Sequence, residues 1–165
     1  MKKTLFLSLL ATVAMLLSSC AVNLGGTMAN YNMLPGNYIP HNPQSSTLKL
    51  VIHNRQDFEA VFGNSAGSID FAHKFVVAVI LPTTNRQTQV ETVACNRIGD
   101  RLYYSYLVTE GHATGYTYTP YAAVVVDRSE PIDVVFQRVT YEDLESAGIH
   151  RTGSQPGNTT PRPRL

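Results

Sequence analysis

Phe75-Val76-Val77-Ala78-Val79-Ile80-Leu81 is a continuous apolar run rich in valine. A short β-branched run without polar alternation predicts a strand buried on both faces. The segments around it supply the cover. Residues 47–53 alternate Leu48, Leu50 and Ile52 against Thr47, Lys49 and Val51, which is a strand pattern. Asn54 then stands where a helix cap is needed, Asp57 falls near the positive end of the turn, and Phe58, Val61 and Phe62 form one apolar stripe before Gly63 stops it. After the valine run, residues 82–86 read as a turn. Residues 87–97 read as a strand, and Gly99-Asp100 as a tight hairpin into a strand over 102–108. A Gly- and Tyr-rich loop is expected over 109–119, then strands over 121–127 and 132–139. Thr140 with Asp143 resembles a capping box for a short helix through Ala147, closed by Gly148. The expectation is an α+β domain, mainly an antiparallel twisted sheet or sandwich of about six strands with two short helices.

Composition limits the function classes. The chain has 165 residues, room for one domain with tails and too few for a barrel or two-domain dinucleotide enzyme. Hydrophobic residues at 44% suffice for a core, and charged residues are only 15%. Lys2 and Lys3 lie in a segment read as removable, which leaves 13 − 2 = 11 basic against 12 acidic side chains, a net charge of −1. Phosphate-driven nucleic-acid binding needs a strong basic excess, so no nucleic-acid partner is expected.

The N-terminus carries the most specific signal. Lys2 and Lys3 precede an uncharged Leu- and Ala-rich run over residues 5–17, followed by Leu17-Ser18-Ser19-Cys20. The run is short for a bilayer span and has the three-part layout of a secretory signal. Its ending resembles the bacterial lipobox, a branched apolar residue and two small residues before an obligatory cysteine. That resemblance implies cleavage after residue 19 and acylation at Cys20, and two or three acyl chains anchor a protein stably. Ala21-Val22-Asn23 has no aspartate of the kind that retains such proteins in the inner membrane and no acidic export cluster. An outer-membrane lipoprotein facing the periplasm is therefore expected. Four segments follow: residues 1–19 as signal peptide, 20–46 as lipidated cysteine and flexible tether, 47–150 as a single β-rich domain, and 151–165 as a disordered tail. Within the tether, Tyr31, Met33, Leu34, Tyr38 and Ile39 are candidates to dock on the domain. With Cys20 lipidated, Cys95 is the remaining thiol and reads as a small buried hydrophobe.

Patterns that could carry catalysis are poor. Gly63-Asn64-Ser65-Ala66-Gly67 matches the G-x-S-x-G nucleophile elbow in letters, but that elbow needs a strand before the serine and a helix after it. Here a helix precedes the motif and an irregular stretch follows. His41, His53, His73, His112 and His150 are scattered, without metal-ligand spacing. No metal, cofactor or catalytic residue is expected. Tyrosine is the more informative residue. Tyr103, Tyr104 and Tyr106 line one strand, and His112, Tyr116, Tyr118 and Tyr121 lie in or beside the Gly-rich loop. Alternation sends Tyr104 and Tyr106 to one face and Tyr103 to the other. An exposed set beside a Gly loop offers rigid, amphipathic contact area, while a buried set is cross-strand packing.

One family pattern spans Leu48 to Phe136. Its parts are Asp57-Phe58-x-x-x-Phe62, Ile69-Asp70-Phe71, the valine run, Gly99-Asp100-Arg101-Leu102, Thr119-Pro120 opening Ala123-Val124-Val125-Val126, and a closing Val134-Val135-Phe136. This resembles the C-terminal domain of PrcB-type proteins, small bacterial lipoproteins that stabilise a secreted protease complex. The sequence departs from that family at Asn85-Arg86-Gln87-Thr88, where a Gly-Gly-Tyr is usual. The resemblance implies a non-enzymatic, lipid-anchored protein whose partners are the membrane, through Cys20, and a protease or other envelope complex. The alternative is a binder of a small ligand, peptide or glycan at the same Tyr and Gly segment.

Overall fold

The computed structural model describes residues 24–36, 38–63, 67 and 69–149. The signal segment, Cys20, Ser65, His150 and the expected tail lie outside the described residues. Eight strands and two helices follow in order: β1 (Thr27–Met28), β2 (Tyr31–Met33), β3 (Leu48–Ile52), α1 (Arg55–Phe62), β4 (Lys74–Ile80), β5 (Thr84–Ile98), β6 (Arg101–Tyr118), β7 (Tyr121–Asp127), β8 (Asp133–Val139) and α2 (Tyr141–Ser146).

The strands form two four-stranded sheets. The first has the order β1-β5-β6-β8 and the second β2-β7-β4-β3. All pairings are antiparallel except β6 with β8, which is parallel. The valine strand β4 lies between β3 and β7, and its alternate residues face opposite ways. Phe75, Val77 and Val79 join Val124 and Val126 of β7 against Cys95, Leu102, Tyr104 and Tyr106 of the first sheet. Val76 and Ala78 join Ala123 and Val125 against Phe58 and Phe62 of α1. A strand buried on both faces has no polar side, which explains the unbroken apolar run.

The helices sit on opposite outer faces. In α1, the Asn54 side chain accepts a hydrogen bond from the Asp57 N–H at 2.8 Å, and Gly63 ends the helix at φ 66°. Phe58 and Phe62, one turn apart, give it a fully buried face. In α2, Thr140 and Asp143 cap each other, with Thr140 N–H donating to Asp143 Oδ2 at 2.7 Å and Asp143 N–H to Thr140 Oγ1 at 3.2 Å. Leu144 packs with Leu107 and Val139 on the outer side of the first sheet, where half-buried Leu24 and Val93 complete the cluster. The layers therefore run α2, first sheet, second sheet, α1.

Three expectations change. First, the segment read as a tether is partly built into the domain. β1 pairs with the edge of β5 and β2 with the edge of β7, while Leu34 and Tyr38 are buried against the α1 side. Burying such a side chain contributes about 2 kcal/mol, and edge pairing satisfies backbone groups that two open sheet edges would leave to water. Gly26 serves close approach here. It has φ 96°, and a Cβ would lie 2.5 Å from the Arg97 carbonyl oxygen. Of the named dockers, Ile39 stays 64% exposed, and Met33 pairs through its backbone with Val124 while its side chain stays 56% exposed. Second, the expected loop over 109–119 belongs almost entirely to β6, paired with β5 up to Thr84 opposite Tyr118. Third, the expected turn over 82–86 is shorter, because β5 already begins at Thr84.

Candidate binding surface

β5 and β6 are by far the longest strands, and their two ends have different surroundings. Near the Gly99-Asp100 turn, β6 is flanked on both sides, by β5 and by β8. β8 pairs with β6 only from Arg101 to Leu107. From residue 108 to 118, β6 continues with β5 alone, and among the described residues no strand pairs with its other edge. The far end is fixed to the second sheet at a corner. Thr83 N–H donates to the Gln44 carbonyl at 2.9 Å, Thr83 Oγ1 lies 2.8 Å from Thr119 Oγ1, and Leu81 N–H donates to the Pro120 carbonyl at 2.9 Å.

This far end is irregular. The register of β5 on β6 shifts between Thr84 and Arg86 and again between Arg86 and Thr88. Register shifts leave backbone groups without ladder partners, which must find others when they are shielded from water. Tyr118 supplies them. Its hydroxyl lies 3.0 Å from the Arg86 carbonyl and 2.8 Å from the Thr88 carbonyl as donor, and it accepts from the Thr88 N–H. Thr114 Oγ1 reaches the Asn85 carbonyl at 2.8 Å. Arg86 and Glu110 approach to 3.9 Å with both side chains 57% exposed, a contact worth little in solvent.

The sequence-derived tyrosines separate into distinct roles. Tyr104 is fully buried between the sheets, its hydroxyl 2.9 Å from Thr92 Oγ1 and its ring edge-on to Phe136. Tyr106 is buried and stacked on it at 6.3 Å. Burial pushes the phenol pKa of both upward. Neither presents contact area, so the expectation of binding is corrected for these two. Alternation put them on the same face, and that face is the inter-sheet core. Tyr121 is half-buried with its ring 5.7 Å from Phe62, on the α1 side, and burial raises its pKa too. Tyr103 is half-buried on the opposite face of β6 from Tyr104. Tyr118 is the backbone pin just described. Tyr116 alone is largely exposed, at 68%, with its ring 5.9 Å from Tyr118. His112 is exposed on the same stretch of β6.

A cleft that the tyrosine pattern missed lies beside Tyr116's ribbon. It has a volume of about 200 Å³ and is lined by Gln87, Gln89, Glu91, Thr109, Glu110, Gly111 and Tyr141. The alternation of Gln87, Gln89 and Glu91 on one face of β5 was the sequence signal for it. A shallower depression of about 450 Å³ opens near Thr88, Tyr118 and Tyr121.

Elsewhere the chemistry is sparse. Burial, and secondarily the charge of Glu130, push the Cys95 thiol up to about 12, so it stays protonated and unreactive at neutral pH. His73 Nδ1 lies 2.8 Å from Asp70 Oδ2 on an exposed turn, and that hydrogen bond is the first cause holding the Asp70 carboxyl below its ordinary value. Ser65, which a hydrolase reading would place with His73 or His112, lies outside the described residues. Among the described residues, no group of three or more His, Cys, Asp or Glu side chains converges as a metal site would. No helix among them is long and apolar enough to cross a membrane. No protein-family model, curated protein or solved structure matches this chain.

Proposed function

We propose that this protein is a non-enzymatic, lipid-anchored component of the bacterial envelope, held in the outer membrane facing the periplasm, which binds another protein through the far end of the β5–β6 ribbon. One observation carries the reading: an unflanked stretch of β6 over residues 108–118 that carries the exposed Tyr116. An open strand edge offers backbone donors and acceptors to an added strand, and an exposed tyrosine beside it supplies amphipathic contact area. The partner class, a protease or an envelope assembly, is the one the PrcB-type resemblance implies. The departure from that family at Asn85-Arg86-Gln87-Thr88 falls in the irregular part of this ribbon, where partner choice would be set.

The second reading, a small-ligand binder, draws on the cleft between β5 and Tyr141. Its volume of about 200 Å³ is below the several hundred Å³ of ordinary ligand pockets, and the depression of about 450 Å³ by Tyr118 and Tyr121 is shallow and open to solvent. A cleft of that size suits one polar or basic side chain of a protein partner better than a free ligand.

The test is affinity purification of the full-length, lipidated protein from detergent-solubilised envelopes, beside Cys20→Ala, Tyr116→Ala and Gly115→Lys variants. A Cβ at Gly115 would meet nothing within 4 Å, so lysine fits there and places a charge at the open edge. The expected result is a stoichiometric partner that is lost with Tyr116→Ala and Gly115→Lys. A partner retained equally by both variants would move the interface elsewhere, and a preparation with no partner would remove the protein-binding reading.

A further inference from the structure

The docked N-terminal segment determines which side of the domain meets the membrane, if Cys20 is the anchor as proposed above. Only Ala21, Val22 and Asn23 separate Cys20 from Leu24. Leu24 is already part of the fold. Its side chain packs with the Leu107, Val139 and Leu144 cluster, and its carbonyl accepts from the Asn96 side-chain amide at 2.9 Å. Four Cα steps span at most about 14 Å when fully extended. Two packed sheets alone are about 10 Å apart, and a helix layer adds about as much again. That reach is shorter than the distance from Leu24 to α1, so an anchor at Cys20 keeps the α2 side of the molecule nearer the membrane.

We infer that the outer face of the first sheet, the face bearing α2 and Leu24, lies against the headgroup region of the bilayer, with α1 turned away from it. Part of that face suits an interface, beside the acidic Glu142 and Glu145 of α2. One row crosses all four strands, with Met28 opposite Asn96, Asn96 opposite Tyr103, and Tyr103 opposite Val135. Directly opposed residues share a face, and the adjacent Cys95 and Tyr104 point to the core, so this row points outward. Met28 is 75% exposed and Tyr141, on α2, is 56% exposed. Tyrosine there places an apolar body and a polar tip at a membrane interface, and methionine adds apolar area. The partner-binding ribbon then runs along a surface held close to the bilayer rather than at the end of a stalk.

The test uses single labelling sites. Lipidation leaves Cys20 without a thiol, and Cys95 is buried, so Met28→Cys and Gln56→Cys, the latter on exposed α1, each provide one reactive thiol. The full-length lipidated variants carry a fluorophore and are reconstituted into phosphatidylcholine–phosphatidylethanolamine vesicles containing a headgroup-attached quencher. Flotation checks anchoring independently. Quenching several-fold stronger at position 28 than at position 56 is expected. Equal quenching in protein that floats would overturn the inference and leave the anchor reading intact. Protein that fails to float would overturn both. Protection at position 28 that rises with protein density and ignores the quencher would assign the face to a second copy of the chain, and would also overturn the inference.

Discussion

The two ends of the β5–β6 ribbon use the same residue type for opposite purposes. At the end flanked by β8, Tyr104 and Tyr106 are sealed between the sheets. At the end β8 does not reach, Tyr118 repairs an irregular ladder and Tyr116 faces solvent. The tyrosines do not differ in chemistry. They differ in whether a third strand and a second sheet cover them, and that decides whether a phenol is sealed in the core, bonds the ribbon's own backbone or faces solvent.

That contrast is open to direct attack. Tyr104→Ala should cost about 3–5 kcal/mol in urea unfolding, through a core cavity and an orphaned Thr92 hydroxyl. If it costs no more than Tyr116→Ala, the division between the two ends fails. Tyr118→Phe should cost about 2 kcal/mol, because it leaves the buried Thr88 without its hydroxyl partner. Its signature should be faster hydrogen exchange confined to residues 84–90 and 108–118. The thermal midpoint should also depend on pH at both extremes. Raised folded pKa values at Cys95 and Tyr104 contribute stability that is complete below the ordinary values of about 8.5 and 10, and it is lost as pH climbs through the folded ones. Lowered values at Asp70, Asp127 and Asp143 contribute stability present above the ordinary carboxylate value and lost as pH falls through the folded ones. A midpoint flat from acid to strong alkali would contradict both. Tyr116→Ala should change stability by no more than about 0.5 kcal/mol while removing partner capture.

Much of the fold was legible because its signals are local. The Asn54 and Thr140 caps, the Gly63 stop, the Gly99 turn and the unbroken β4 run each depend on a few adjacent residues. The N-terminal strands were not legible. Thr27–Met28 and Tyr31–Met33 are too short to show a period, and they exist because distant β5 and β7 edges accept them. Residues 109–118 looked like a loop because Gly and Thr replace the apolar alternation. β5 holds them extended without it. At the candidate surface, alternation correctly parted Tyr103 from Tyr104 and Tyr106. Which face lay inside depended on where the second sheet packs, and local pattern does not carry that.

Hydrogen–deuterium exchange on the purified protein, alone and with its captured partner, tests the central claim most directly. The expected result is new protection concentrated in residues 108–118, with the Tyr104 end unchanged because it is already protected. Protection appearing instead on α1 or along β3, with the far ribbon unaltered, would contradict the account.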